Sequence, residues 1–412
     1  MTALNLDSFE AALKVHYTDL RVKNLVYRNN PFLAAVPKYE YFGGKNLPIP
    51  VQFGTPQGRS ATFTDANNQN VQTPGEYTDF VLKRVRNYSV AAIDNETLEA
   101  SVGRPNAFME AAASEIDGAL RSLTQDLAGN LYRDQFGIRG EIANIVVNEI
   151  ELTNPSDIVF FEVGMTLVTV PAATPAAATT GGGIGCTIDT INRDNGTFTV
   201  TAILGATAPG DVIFQLGDAA NGGDVLKMAG LSGWLPATAP VSGVTPDFFQ
   251  VDRGRDASRL AGQRYNGTSE TIEEALIGAG SLLFREGGRP DLVFMNPLEY
   301  SDLIKSLGSK VVYDVVRSSD VAEVFFDSVR VYTPSGQVSV VADPNCPTGV
   351  AYMLQMDTWK LYSLGMAPKI LMTDGLRFLR TENADSVTVR CGYYSQLGCT
   401  APGWNARIAL AT

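Results

Sequence analysis

The sequence predicts an α+β protein in which an extended N-terminal region precedes a long helix, a small β-rich part and a mixed α/β part. Three observations support this prediction. A proline-rich stretch and a strand-like stretch precede one long apolar stripe at helical spacing. The composition then changes to Thr, Val, Ile and Gly with few charges, and the last third mixes helix-start signals with short strands. A chain of 412 residues is long enough for two or three domains.

The N-terminal region begins with a predicted helix and continues as an arm. Apolar residues recur at helical spacing over residues 7–27, where Asp7 and Glu10 form a capping pair. Residues 30–63 contain repeated prolines and the pair Gly43 and Gly44, which exclude a helix of ordinary length. The arm is nevertheless too apolar for a disordered linker, so we expect it to bury its side chains against another surface.

A long, wide-looped hairpin is predicted after the arm. Residues 45–53 and 76–93 have the β-branched and aromatic character of its two legs, and residues 67–75 between them are polar and turn-rich. An isolated two-stranded ribbon is only marginally stable in water, so the hairpin also needs a further surface to pack on.

The clearest helix begins at Pro105, which suits a first helical turn, and we expect it to stop near Gly137. About thirty residues of helix span roughly 45 Å, the length of a structural spine. Its predicted buried stripe consists of Phe108, Ala112, Ile116, Leu120, Leu123, Leu127 and Leu131.

The β-rich part covers residues 142–230 and is predicted to be a separate small domain. Asn195 and Gly196 tolerate the positive φ of a tight β-turn and therefore indicate a hairpin. Residues 171–185 read as an exposed low-complexity loop. Because the "GGGIG" at residues 181–185 precedes a strand-like segment, it does not fit a dinucleotide-binding turn.

The remaining chain is predicted to be mixed α/β. Thr271 and Glu274 form a capping box for one helix. Asn296 and Pro297 begin a second helix after a strand, and short strands with turns follow from Val311 to the end.

The residues that carry catalysis in many enzymes are scarce. His16 is the one histidine, and no nucleophile motif, metal-ligand spacing or cofactor motif is recognisable, so we expect neither enzyme activity nor a cofactor. The four cysteines lack any C-x-x-C spacing, so free buried thiols are expected in a reducing compartment, although a Cys391–Cys399 pair is the alternative if a turn joins them. The cysteines are Cys186, Cys346, Cys391 and Cys399.

Charge and hydropathy exclude two classes of partner. A net charge of -12 and a pI near 4.7 do not fit a protein that grips nucleic acid through a basic stripe. We also find no signal peptide and no apolar stretch of membrane-spanning length, which predicts a protein made in the cytoplasm.

The order of these segments resembles the major capsid proteins of tailed bacteriophages, with the Hong Kong 97 type of fold, over essentially the whole chain. The stretches "FFEVGMTLVTV", "GDVIFQLGD" and "GLSGWLPATAP" are similar to parts of such proteins that carry a β-insertion. The resemblance implies an N-arm at residues 1–44, an extended E-loop hairpin at 45–93, a peripheral domain with the spine helix at 94–141, an inserted β-domain at 142–230, a connector with peripheral strands at 231–268, and an axial domain with returning peripheral strands at 269–412.

The resemblance also implies a function. Copies of the chain would assemble as hexamers and pentamers into the icosahedral head shell around a double-stranded DNA genome, in the host bacterial cytoplasm, and remain in the virion. Implied partners are other copies, a separate scaffold protein, a portal and a decoration protein, with loose proximity to DNA and no membrane. The arm and hairpin would bury apolar residues against neighbouring copies. Expected contact residues are Phe32, Tyr39, Tyr41, Lys45, Arg59, Lys83, Arg84 and Arg86.

Two other classes of protein remain as alternatives. The first is a β-rich secreted or surface binding protein with residues 142–230 as a carbohydrate-binding module, and the lack of a signal peptide argues against it. The second is a hydrolase on the mixed α/β part, which the single histidine and the missing nucleophile motif disfavour.

Overall fold

The fold is described from a computed structural model. The structure describes residues 30–72, 75–94, 105–172, 186–201, 207–218, 225–307, 313–317, 325–365, 367–372, 378–380 and 385–411. The predicted first helix, His16 and the "GGGIG" segment lie outside these residues.

The described residues form helices of very different lengths. They are α1 (Pro31–Ala35), α2 (Phe63–Gln72), α3 (Pro105–Asn130), α4 (Leu231–Trp234), α5 (Ala257–Ala261), α6 (Ile272–Arg285) and α7 (Pro297–Leu307), with 3₁₀ segments at Pro155–Phe160, Arg253–Asp256, Met356–Thr358 and Pro402–Trp404.

Strands make up the rest of the regular structure. They are β1 (Lys38–Tyr39), β2 (Asn46–Gly54), β3 (Glu76–Lys83), β4 (Val85–Asp94), β5 (Gly140–Val146), β6 (Glu149–Leu152), β7 (Thr166–Pro171), β8 (Cys186–Asn192), β9 (Thr197–Val200), β10 (Asp211–Gln215), β11 (Gln263–Gly267), β12 (Leu292–Met295), β13 (Tyr313–Arg317), β14 (Phe325–Thr333), β15 (Gly336–Ala342), β16 (Val350–Leu354), β17 (Trp359–Ser363), β18 (Lys369–Ile370), β19 (Phe378–Arg380), β20 (Ser386–Cys399) and β21 (Ala406–Leu410).

These strands form three sheets and one two-stranded ribbon. A seven-stranded sheet has the order β11-β21-β16-β12-β15-β14-β13. In a six-stranded sheet the long β20 pairs with β17, β18, β19 and β4, and β1 adds to β17. The strands β10-β5-β6-β9-β8-β7 close into a barrel, and β2 pairs with β3 alone. The architecture is therefore α+β, as the sequence predicts.

The hairpin forms, but its second leg is shorter than predicted. β2 and β3 pair antiparallel from Asn46 opposite Lys83, which confirms the two legs. The predicted strand over residues 76–93 is interrupted at Arg84, and its second half, β4, pairs with β20 instead. Helix α2 overlaps the first part of the segment predicted to be turn-rich, and it begins where Thr62 Oγ1 accepts a hydrogen bond from the backbone N–H of Asp65.

The arm and the hairpin pack on their own subunit, which corrects the expectation that neighbours cover their apolar residues. Phe32 and Phe42 are fully buried in the main core of this chain, together with Ile49 and Phe80 of the hairpin. The Phe32 ring lies 5.1 Å from the ring of Phe294. The apolar face of the ribbon therefore covers the core of the subunit that contains it.

Helix α3 has the predicted stripe, but it ends at Asn130 rather than near Gly137. Ile116, Leu120, Leu123, Leu127 and Leu131 are buried, while the side chains of Phe108 and Ala112 lie outside the described set. The backbone of Gly230 packs against this end of the helix, where a Cβ would come within 2.3 Å of the carbonyl oxygen of Asn130. Only glycine permits this close approach.

The residues of the predicted β-domain form the closed barrel. β5 pairs with β10, which closes the barrel next to the two connections to the rest of the chain. Its core contains the stacked rings of Phe161 and Phe198, with centroids 5.1 Å apart. At the predicted turn, Gly196 has a positive φ of 69°, whereas Asn195 does not. The domain boundaries proposed from the sequence remain a prediction.

The mixed α/β part contains the predicted helix starts. The Thr271 side chain and Glu274 make the reciprocal bonds of a capping box at the start of α6, and Asn296 Oδ1 accepts a bond from Leu298 N at the start of α7. The four cysteines are free and buried. Cys391 and Cys399 lie on the same extended strand, β20, so the alternative in which they pair is wrong.

Candidate assembly surfaces

The expected contact residues divide into buried and exposed groups. Phe32 is fully buried, and its backbone N–H donates to the carboxylate of Asp343, so this residue is wrong as a contact in the structure described. Tyr39 is 41% exposed and Tyr41 is 82% exposed, with ring centroids 6.1 Å apart. The Tyr39 ring also packs edge-on against Tyr362, so only Tyr41 is fully turned to solvent.

Arg84 lies at the junction of β3 and β4 and binds its own chain. Its Nη1 donates to the carbonyl oxygen of Phe42 at 2.5 Å, and its guanidinium lies 5.3 Å from the centroid of the Phe42 ring. Its half-buried side chain therefore ties the hairpin base to the arm. These contacts give Arg84 a structural role within its own subunit.

The other expected basic residues are exposed along the hairpin and its continuation. Lys45 and Lys83 lie near the hairpin base, Arg59 lies beyond the end of β2, and Arg86 lies on β4. In the part of the chain that the structure describes, none of the four makes an ion pair. They remain available to acidic groups on other molecules.

The hairpin tip, of which the structure describes residues 55–72 and 75–77, is highly exposed, and sequence reasoning missed its apolar residues. Phe63 is 88% exposed, Val71 is 75% exposed and Tyr77 is 69% exposed. Large apolar side chains with so little cover mark an interaction surface. Isolated apolar residues in an otherwise polar stretch were the signal that could have identified them.

A cluster of buried charges joins the barrel to the rest of the subunit. Arg139 lies just before the barrel, and Asp218 and Lys227 follow its last strand. The Nη2 of Arg139 lies 2.6 Å from the carboxylate of Asp126 on α3, and Lys227 Nζ lies 3.0 Å from both Asp126 and Asp218. Asn87 Nδ2 on β4 donates to Asp126 at 2.6 Å. The connections on both sides of the barrel are therefore bound to the same helix position.

The electrostatics of this cluster follow from its burial. Burial alone would raise the pKa of Asp126, but the charges of Lys227 and Arg139 outweigh it, and the pKa lies below its ordinary value. Asp218 keeps a raised pKa because burial and the nearby Asp126 charge prevail over its cationic partners. The side chains of the cluster are among those that line an open cleft of about 290 Å³ between α3, β4 and the barrel.

A second buried carboxylate fixes the arm. Asp343 Oδ2 accepts bonds from the N–H of Phe32 and the hydroxyl of Tyr132, and Oδ1 accepts a bond from Asn345 N. Asn345 Nδ2 also donates to Asn30. Burial raises the pKa of Asp343, because no cation is among the groups that bind it in the described contacts. The carboxylate, which directly follows β15 of the seven-stranded sheet, thus joins the arm and the segment after α3 to that sheet.

Neither a metal site nor a membrane helix is seen in the described residues. They contain no group of three or more His, Cys, Asp or Glu side chains that could hold a metal ion. No helix among them is long and apolar enough to cross a membrane.

Comparison of the sequence with family models gives one informative match. Residues 210–386 match the model of the SU10 major capsid protein family. Comparison with curated proteins returned no match. The matched region includes the end of the barrel, most of the seven-stranded sheet and part of the six-stranded sheet.

Three of the solved structures that resemble this chain are from phages. The structure of the cyanophage A-1(L) capsid asymmetric unit has a TM-score of 0.50 and 12% identity, and 92% of each chain is covered. A structure of phage G major capsid and decoration proteins has a TM-score of 0.42 and 7% identity, covering 94% of this chain and 91% of that chain. Mycobacterium phage Bobi gives a TM-score of 0.40 and 9% identity, with coverages of 93% and 91%. The first of these supports the Hong Kong 97 type of fold, and none of the matches supports the carbohydrate-binding alternative.

Proposed function

We propose that this chain, a phage major capsid protein that forms the virion shell, locks its copies together through the hairpin tip. The observation that carries the proposal is the exposure of Phe63, Val71 and Tyr77 at the tip of a hairpin whose strands are buried on their own subunit. The cores of the described residues form without these three side chains, so a second molecule can cover them.

A tip that contacts a different patch on the next copy makes a head-to-tail contact. Such contacts close into rings when the rotation between copies closes, and rings of six and of five are what an icosahedral shell requires. The exposed residues Tyr41, Lys45, Arg59 and Lys83 extend this contact surface along the hairpin. Tyr39, Arg84 and Arg86 belong to the same region, with Arg84 supporting the hairpin base from within the subunit.

The chain acts as a structural protein, and we propose that it has no enzyme activity. The buried carboxylates Asp126 and Asp343 bind groups that hold segments of the subunit together. A net charge of -12 keeps its association with packaged DNA loose. A separate scaffold protein, a portal and a decoration protein complete the proposed set of partners, and a decoration protein is present in the similar structure of phage G.

The test compares two pairs of exposed apolar residues. In the variant Phe63→Ser with Tyr77→Ser, the tip loses its aromatic side chains, while Val241→Ser with Val244→Ser changes exposed residues elsewhere. Negative-stain microscopy at matched concentration should show folded subunits without shells for the first pair and normal shells for the second. Shells formed by the tip variant at the unmodified protein's concentration would refute the proposal.

A further inference from the structure

Glycines with a positive φ stand on both connections of the barrel. Gly137, with a φ of 81°, lies on the connection that enters the barrel, and Gly217, with a φ of 90°, lies just after β10 on the connection that leaves it. Glycine adopts this backbone conformation without the strain that a side chain adds. We call Gly137 and Gly217 the hinge glycines, because rotation at these two positions turns the barrel as a unit.

The barrel has a core of its own. Among the described residues, its buried apolar cluster has no member in common with the main core. The barrel meets α3 near the C-terminal end of that helix, where Gln125 Nε2 donates to the carbonyl oxygen of Val159 at 3.0 Å. A Cβ at Gly129 would lie 2.8 Å from the Phe160 ring. Because the two cores are separate, relative motion of the barrel and the rest of the subunit is expected.

Ion pairs beside the hinge glycines hold the barrel in the position described. Arg139 stands two residues after Gly137. Asp218 directly follows Gly217. We call these ion pairs the latch, and its members are Asp126, Arg139, Asp218 and Lys227. The stem of Lys227 also covers one hinge, since a Cβ at Gly137 would lie 2.8 Å from Lys227 Cγ. The latch thus restrains the positions at which the barrel would turn.

The cleft of about 290 Å³ lies beside the latch and separates the barrel from the rest of the subunit. Tyr88 and Val90 of β4 line one wall, and Val159 of the barrel lines the other. Their exposed fractions are 52%, 56% and 39%. A rotation that brings the walls together would remove these apolar side chains from water, and this burial favours closure.

We propose that the barrel is a lid that turns about the hinge glycines and closes the cleft, and that the latch holds this lid open. In the structure described, the charge-assisted bonds to Asp126 outweigh the apolar burial that closure would bring. The motion takes place within one subunit and is independent of the surface that the hairpin tip contacts.

The position of the lid controls access to one edge of the six-stranded sheet. In the described residues β4 pairs with β20 alone, so its other edge is free. Ser89 and Val90 of β4 line the cleft that the lid would cover. A free strand edge is a template for pairing with another chain, and the closed lid would block it.

Disulfide trapping across the cleft tests the motion in the unassembled full-length subunit. The cleft pair, Ser122→Cys on α3 with Glu162→Cys on the barrel, places exposed thiols on opposite walls. A disulfide forms only when the two Cα atoms come within about 7 Å, so its rate rises with the time spent closed. With copper phenanthroline as oxidant, Lys227→Met should raise this rate at least about tenfold, because it removes bonds to a charged group from the latch.

A control pair accounts for random encounters. Arg121→Cys with Glu149→Cys places thiols on exposed positions of α3 and the barrel that do not line the cleft. The native cysteines are buried. If Lys227→Met gives no cooperative melt, Asp218→Asn weakens the latch in its place. The lid is overturned if the cleft pair forms an intramolecular disulfide no faster than the control pair, or if weakening the latch leaves the rate unchanged.

Discussion

Lys227 Nζ lies 3.0 Å from the carboxylate of Asp126, so a residue that follows the barrel is bound near the C-terminal end of the long helix α3. Arg139, which precedes the barrel, binds the same carboxylate at 2.6 Å. One buried side chain thus holds both ends of the inserted barrel. This arrangement fixes the barrel on the subunit even though only two chain segments connect them.

Replacing Asp126 with Asn should destabilise the isolated subunit strongly. The change keeps the side-chain shape but leaves Arg139 and Lys227 buried with one carboxylate, Asp218, between them. Breaking a buried charge pair in this way costs about 3–5 kcal/mol. Urea unfolding measures the loss. The exposed pair of Glu162 and Arg193 supplies the control, because Glu162→Gln should change the free energy of unfolding by less than about 1 kcal/mol. Equal losses in both variants would contradict the role of the cluster.

The barrel should be removable if the cluster is kept. Glu141 and Val212 are direct partners in the β5–β10 ladder, so a short Gly/Ser linker can replace residues 142–211. Arg139, Asp218 and Lys227 then remain to bind Asp126. The shortened chain should keep one cooperative melting transition, monitored by circular dichroism, because the main core lies outside the barrel. A broad, non-cooperative transition would show that the barrel is part of the folding unit.

The apolar stripe of α3 should tolerate no charge. Leu123 is buried with Leu120 and Val389, so Leu123→Asp would bury an unpaired carboxylate and should abolish soluble folding. Arg121 is exposed on the same helix, and Arg121→Ala should change stability by about 0.5 kcal/mol or less. The soluble yield of the two variants and their thermal melts give the comparison. Similar behaviour of both would be inconsistent with the helix packing described.

Lys38 should make stability depend on pH. Its Nζ donates to the carbonyl oxygens of Leu33 and Ala34, and burial lowers its pKa from 10.5 to about 7. Between these two values the unfolded chain binds a proton that the folded chain does not, so stability rises with pH. The gain from pH 7 to pH 9 should be about 2 kcal/mol.

The variant Lys38→Met isolates this contribution, because other titrating groups are shared with the unmodified chain. Urea unfolding at the two pH values should show the rise in the unmodified chain and lose it in the variant. The exposed Lys83→Met variant should keep the rise. A variant at position 38 with unchanged pH dependence would show that Lys38 titrates normally.

Local sequence signals predicted much of the fold. The capping residues Thr271 and Glu274, the leucine stripe of α3 and the hairpin legs all depend on neighbours within a few turns or one strand pair, so their patterns are readable in the sequence. Helix α2 escaped prediction because its asparagine-rich sequence has weak helical propensity and the side-chain bonds at its start are the two local ones between Thr62 and Asp65.

The long-range contacts could not be predicted in the same way. The backbone N–H of Phe32 donates to the carboxylate of Asp343, which lies 311 positions away in the sequence. No local sequence pattern identifies such a partner. The arm was therefore expected to pack against a neighbouring copy, whereas its apolar residues pack in the main core of its own subunit. The charge cluster likewise unites Asp126, Arg139 and Lys227 from three segments, each of which reads as an ordinary surface charge in the sequence.

Cryo-electron microscopy of particles assembled from the purified chain tests whether the hairpin tip joins the copies of a shell. We expect closed icosahedral shells in which density for Phe63 and Tyr77 of each subunit is covered by a neighbouring subunit. Discrete monomers, or shells in which the hairpin tip of every subunit is left uncovered, would contradict it.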